Sequence, residues 1–196
     1  MSSATLNLET AAAEPLSRGR VGMWSLILAE SAIFLIFVAA YVFYIGKSLD
    51  GPTPAQILTV PVFITICLLS SSLTMHAAVA ALHKGKRALF ALFWFITLAL
   101  GATFLIGTAR EWHHLIYQEG FTVQTNLFGT TFYSLVGLHA THVIIGLIAL
   151  SVVMVLALFG RIGPQHSERC EVLAMYWHFV DAVWVVVFSV VYLLGR

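Results

Sequence analysis

His178 and Asp181 stand three residues apart in an aromatic-rich run, and His139 and His142 repeat that spacing within GLHATHVIIG. On a helix, residues three apart share a face, so each pair presents its polar groups together. Imidazoles and carboxylates held this way can pass protons, ligate a metal or haem, or bond one helix to another. Glu30 is the single charged residue between Val21 and Gly46. A carboxylate at that depth costs several kcal/mol unless it is paired, hydrated or protonated. It must therefore face protein or water, either as an acid on a proton or ion route or as a neutral group bonded to a neighbouring helix. Asp181 falls at a similar depth if both helices run the same way, which permits one polar cluster. His76, after Ser70-Ser71-Ser72 and Thr74, could join it. Tyr176, Trp177 and Trp184 surround the His178–Asp181 pair, and Trp177 can also be read as a headgroup anchor.

A metal site is poorly served by these residues. A ferritin-like dimetal centre needs E-x-x-H on two helices and further carboxylates, which the chain lacks, so no metal ligands are expected. Four histidines within apolar runs, His76, His139, His142 and His178, leave bis-histidine haem ligation open beside interhelical hydrogen bonding. Arg110, Glu111, Trp112, His113 and His114 follow one another at the end of the third apolar run. They read as a solvated interface, or as a lipid-phosphate or partner-subunit contact with Arg110 facing an anionic headgroup. Cys67 and Cys170 stand in unrelated contexts and read as free thiols.

The elements that position these groups are membrane helices. Of 196 residues, 60% are hydrophobic and 10% charged, against about 25% charged in soluble domains. The net charge of +1 gives no basic field for nucleic acid. Spanning a bilayer takes about 20 apolar residues, and five stretches qualify, at about 21–46, 59–82, 88–109, 127–159 and 172–194. The expected architecture is all-α: a polytopic membrane protein of five transmembrane helices, with a cytoplasmic arm over 1–20 and a membrane domain over 21–196. Arg18, Arg20, Lys84, Lys86, Arg87, Arg161 and Arg169 fall on one side, against Lys47, Arg110 and Arg196 on the other. This bias places the N-terminus in the cytoplasm and the C-terminus outside. Gly129, Gly137 and Gly146 allow close helix approach in the fourth span.

The stretch from Glu171 to Trp184, with Ala174, Tyr176-Trp177-His178-Phe179-Val180-Asp181 and Trp184, resembles the last-helix motif of subunit III of the haem–copper terminal oxidases. Gly129-Thr130-Thr131-Phe132, Gly137-Leu138-His139 and His142-Val143-Ile144-Ile145-Gly146 resemble that family's preceding helix. Glu30 matches its intramembrane glutamate, Glu111 its acid at the end of the next-but-one helix, and His76 its histidine after a Ser-rich turn. The resemblance covers the chain from Val21 onward. Mitochondrial-type members have seven spans, so five resemble the short bacterial form that lacks the first two.

What the resemblance implies is a subunit with no catalytic centre, haem or copper of its own, in a multi-pass position in the bacterial plasma (inner) membrane. It would associate with catalytic subunit I, subunit II and further small subunits, hold structural phospholipid, and support proton uptake and stable turnover while the assembly reduces dioxygen to water. Glu30 and His76 would be proton-related or lipid-cleft residues. His139, His142, Glu171, His178 and Asp181 would make interhelical polar contacts, and Arg110, Glu111, Trp112, Trp177 and Trp184 would face lipid or an interface. Cytochrome c is the favoured electron donor of such an assembly. A quinol oxidase and a nitric oxide reductase system are the alternatives within the superfamily. Outside it stand an independent haem-b redox protein, which would absorb visible light on its own, and a solitary transporter.

Overall fold

The computed structural model describes residues 17–48, 51 and 54–194. Five helices in it are long and apolar enough to cross a membrane: α1 (Arg18–Tyr44), α2 (Val62–His83), α3 (Arg87–Tyr117), α4 (Leu127–Leu158) and α5 (Ser167–Phe188), the last continuing as a π-helical turn through Ser189–Leu194. A single helical turn, Pro54–Ile57, precedes α2, and a 3₁₀ turn, Pro164–His166, leads into α5. Ser17 caps α1 by accepting the Arg20 amide, and Asn126 caps α4 by accepting the Gly129 amide at 2.8 Å. Residues 1–16 of the expected N-terminal arm lie outside the described residues.

Three helix ends depart from the expectation. α1 begins at Arg18, so part of the presumed arm is its first turn; α3 runs on to Tyr117, eight residues past Ala109; and α5 starts at Ser167, before Val172. The physical reason is common to all three. Charge marks where a helix leaves hydrocarbon, whereas a helix ends only where its backbone bonds end, and Arg, Glu and Gln are good helix formers.

Two of the reversals are glycine-dependent. After α2, Gly85 has φ +69°, the Lys86 amide bonds back to the Ala81 carbonyl and the Gly85 amide to that of Leu82. After α4, Gly160 has φ +70° and the same two bonds recur from Arg161 to Leu156 and from Gly160 to Ala157. Both are Schellman closures, which need a left-handed residue at that point.

α2 and α3 pack along their length, α4 contacts α1, α3 and α5, and α5 contacts α1, α2 and α4. Leu28, Ile36, Phe63, Leu73 and Ile148 are well exposed on the outside of the bundle, as suits lipid-facing positions. The interior holds bulky aromatics whose polar tips reach another helix: Trp94 Nε1 donates to the Leu150 carbonyl at 2.9 Å, Trp177 Nε1 to Ser71 Oγ at 2.8 Å, and Trp184 Nε1 to Thr65 Oγ1 at 3.2 Å. Trp177 and Trp184 were expected at lipid or an interface, and this is corrected: both are buried inside the chain. Their indole N–H groups have serine and threonine partners on α2, so they need no headgroup region to satisfy them. Cys67 and Cys170 are buried free thiols.

Trp177 fits because α3 and α4 are bare where its ring lies. A Cβ on Gly101 would stand 2.8 Å from Trp177 Cη2, and one on Gly146 2.9 Å from Cζ3. Gly146→Val should therefore destabilise the bundle by overpacking, about 1–3 kcal/mol or more, whereas Trp177→Phe loses one hydrogen bond and some packing, about 1 kcal/mol from the bond alone. Unfolding midpoints in detergent test this: a Gly146→Val protein as stable as the wild type would refute the close packing.

Candidate functional site

The polar residues of the bundle fall into three groups. The first joins α1 to α4. His142 Nδ1 lies 2.8 Å from the Leu138 carbonyl one turn earlier, and its Nε2 lies 3.1 Å from Glu30 Oε2. A carbonyl oxygen only accepts, so Nδ1 carries a hydrogen. The Nε2···Oε2 contact then needs one further proton, resident on either the acid or the ring. The pair is screened by Phe34, whose ring centroid is 4.9 Å from that of His142, and the Tyr176 hydroxyl donates to the His142 carbonyl at 3.2 Å. A notch of about 190 Å³ opens beside it between Phe34, Leu35 and Val38 of α1 and Val183, Val186 and Val187 of α5.

The second group joins α5 to α2. Ser72 Oγ donates to Asp181 Oδ2 and lies 3.0 Å from His178 Nδ1. Asp181 is 3% exposed, and its Oδ1 has no hydrogen-bond partner. His178 also lines a cavity of about 540 Å³ with His76, His83, Arg20 and Glu171, walled by Trp24 and small or apolar side chains. At its mouth Glu171 is shared between Arg20 of α1 and His83 of α2. No hydrogen bond links the Glu30 and Asp181 groups among the described residues, so the polar interior is two sites rather than one cluster.

The third group lies at the far end of α3. Tyr192, in the π-helical turn, donates to both oxygens of Glu111 at 3.1 and 3.2 Å. Glu111 thus ties α3 to the end of α5, although its outer edge, with Arg110 and His114, lines a groove of about 420 Å³. Trp112 packs edge-on against Tyr133, with ring centroids 5.2 Å apart, and its indole nitrogen is buried without a partner. Arg110 is exposed whereas Glu111 and Trp112 are half-buried, so of the three it is the most open to a headgroup.

Among the residues expected to bond between helices, His142, Glu171, His178 and Asp181 do so. His139 does not, which is a correction. It is fully buried, neither ring nitrogen has a partner, and Phe34, Phe104 and Trp184 enclose the ring at centroid distances of 6.5, 5.7 and 4.9 Å. That enclosure leaves no face for a haem, and both nitrogens of His142 are taken. Among the described residues, no group of three His, Cys, Asp or Glu is placed to hold a metal ion.

Sequence reasoning missed Arg20, His83, Tyr176 and Tyr192 as partners. A signal was present: Ser72, His76 and His83 recur at steps of four and seven, and Glu171, Ala174, His178 and Asp181 at steps of three, four and three. Each set is one helical stripe, and the two stripes face each other.

The family model described as cytochrome c oxidase subunit III matches residues 8–196. A cytochrome c oxidase subunit 3 from Alkalihalophilus pseudofirmus is 37% identical over 177 residues, covering 89% of this chain and 86% of the relative. Another from Synechocystis is 39% identical over 182 residues, covering 88% and 74%. A cytochrome bo(3) ubiquinol oxidase subunit 3 from Pseudomonas aeruginosa is 34% identical over 176 residues, covering 89% and 84%. With five apolar helices, buried polar pairs between them and a match over nearly its whole length, the chain belongs to the cytochrome c oxidase subunit III family, as a non-catalytic, multi-pass subunit of a haem–copper oxidase complex in the bacterial plasma membrane.

Proposed function

We propose that this chain supports a proton-pumping cytochrome c oxidase by holding phospholipid against the catalytic subunit and sustaining its proton uptake, with Glu30 as the central residue. The observation that carries this reading is the Glu30–His142 contact. A carboxyl and an imidazole share one proton inside the membrane, 3.1 Å apart, with the Glu30 side chain still 23% exposed. An acid placed this way is neither sealed nor solvated, so it can exchange a proton with a neighbouring surface and contact a lipid. The apolar notch beside Phe34 has room for part of an acyl chain, and Arg110 beside its groove supplies a cation for a headgroup phosphate.

Subunits I and II, with further small subunits, are the proposed partners. The proposed orientation is N-terminus in the cytoplasm and C-terminus outside. It is supported by the contact of Arg20 and His83 with a common Glu171, which brings the start of α1 and the basic turn Lys84–Arg87 to one end of the bundle. The proposed membrane unit spans 21–196, preceded by the arm over 1–20. A quinol-linked assembly is the second reading, favoured by the ubiquinol oxidase subunit among the relatives; oxidation assays of the purified complex with each donor separate the two.

In the assembled oxidase, Glu30→Ala should leave haem and copper spectra unchanged while lowering bound phospholipid per complex or the number of turnovers before inactivation several-fold. Wild-type lipid content together with wild-type endurance would overturn the reading. His142→Phe leaves Glu30 without its partner, at a cost of about 1–3 kcal/mol, and should reproduce the endurance defect with the spectra intact. A His142→Phe complex that keeps wild-type endurance would show that the shared proton is not what sustains turnover.

A further inference from the structure

We propose that Asp181 is a second, separate proton-exchange site, loaded from the cavity at the Arg20 end of the bundle through His178 and Ser72. The argument turns on one hydrogen. Ser72 Oγ contacts both Asp181 Oδ2 and His178 Nδ1, yet a hydroxyl has a single hydrogen to donate. If it donates to the Asp181 carboxylate, His178 Nδ1 must be the donor to Ser72. If Asp181 carries a proton and donates it to Ser72, the hydroxyl hydrogen turns to an unprotonated His178 Nδ1. Both arrangements satisfy every contact, and they interconvert without a side chain leaving its position.

The step balances. A proton from cavity water joins His178 Nε2, the Nδ1 hydrogen moves to Ser72 Oγ, and the hydrogen already on Oγ moves to Asp181 Oδ2. The ring ends neutral with its hydrogen on the other nitrogen, Asp181 ends protonated, and the reverse sequence unloads it. No oxidant or cofactor enters.

Three observations beyond the hydrogen bonds support the route. With Nδ1 taken by Ser72 and the ring lining the cavity, Nε2 is the nitrogen left for exchange. The cavity offers water polar partners: Arg20 faces it from α1, His76 and His83 from α2, Glu171 and His178 from α5, and water occupies such a space when it finds two to four of them. Asp181 itself is sealed, at 3% exposed, with Oδ1 unpartnered, so a proton reaches it through Ser72 rather than directly. By helical rise the cavity runs roughly 10 Å, from Glu171 to His178, and the relay adds about 4.5 Å to Asp181. None of these residues belongs to the Glu30–His142 pair.

Infrared difference spectroscopy on the assembled oxidase tests the proposal through the carbonyl stretch of a protonated carboxylic acid, with carbon-13-labelled aspartate and Asp181→Asn used to assign the band. The wild type should show an aspartic acid band that Asp181→Asn removes and that shifts promptly on transfer to heavy water. Ser72→Ala should slow that shift about 100-fold, the low end for loss of a positioned proton carrier. Ser72→Thr, which keeps the hydroxyl, should retain the wild-type rate, and His178→Phe should match Ser72→Ala. If Asp181→Asn removes no band at any pH the complex tolerates, or if Ser72→Ala exchanges as fast as the wild type, the proposal is overturned. The Ser72 variants keep the acid in place, so the rate comparison stands even where Asp181→Asn fails to assemble.

Discussion

A polar side chain in hydrocarbon has only protein to bond to, and six side chains of α5 bond to other helices. Tyr176 reaches the backbone of α4, Trp177, His178 and Asp181 reach the serines of α2, Trp184 reaches Thr65, and Glu171 gathers α1 and α2 at one end. Every one of these bonds is directional, whereas the apolar contacts around them are not. Hydrophobic burial gives no preference between helix and lipid, since both are equally apolar. The rotation of α5 about its axis is therefore set by its polar partners, and the positions of α2 and α4 around it follow.

Close packing makes those bonds reachable. The Trp177 indole spans from α5 to Ser71 of α2 while its ring edge lies against Gly101 and Gly146. With side chains at those glycines, α3 and α4 would stand further off and the ring would lose its contacts. The same economy governs Glu111, where a tyrosine from the last turn bonds both carboxylate oxygens. An acid next to Arg110 and His114 would ordinarily be a surface group; here it fixes the far part of α3 against the end of α5.

The number and approximate place of the five helices were legible in the sequence because hydrocarbon thickness imposes a length and hydropathy reports it. The helix ends were less so, since Arg110–His114 mark the edge of the apolar region and not the edge of the helix. Within a helix, spacing correctly puts His178 with Asp181 and His139 with His142. It does not say what either face meets. His139 and His142 are three apart, yet one bonds Glu30 and the other is walled in by Phe34, Phe104 and Trp184. Likewise Trp177 and Trp184 have the composition of headgroup anchors, and only the presence of Ser71 and Thr65 opposite their N–H groups makes them interior residues. The missing information is the rotation of one helix relative to the next, which depends on partners distant in sequence.

The acids Glu30 and Asp181 pose a sharper question than their contribution to stability. A buried polar pair is often no more stabilising than well-packed apolar residues of the same volume, so structural support alone gives little reason for a carboxyl at Glu30 or Asp181. Orientation gives some reason, but Trp177 and Trp184 already orient α5 on α2 with uncharged groups. What a carboxyl beside an imidazole adds is the capacity to gain and lose a proton without breaking its bonds. Glu30 lies in direct contact with His142, and Asp181 meets His178 at one remove, through the Ser72 hydroxyl; the proposed exchange at each acid rests on these contacts. Both acids sit where a change of charge would be felt across a low-dielectric bundle. On the proposed reading, in which this subunit supports proton uptake, that capacity accounts for acids that packing alone does not require.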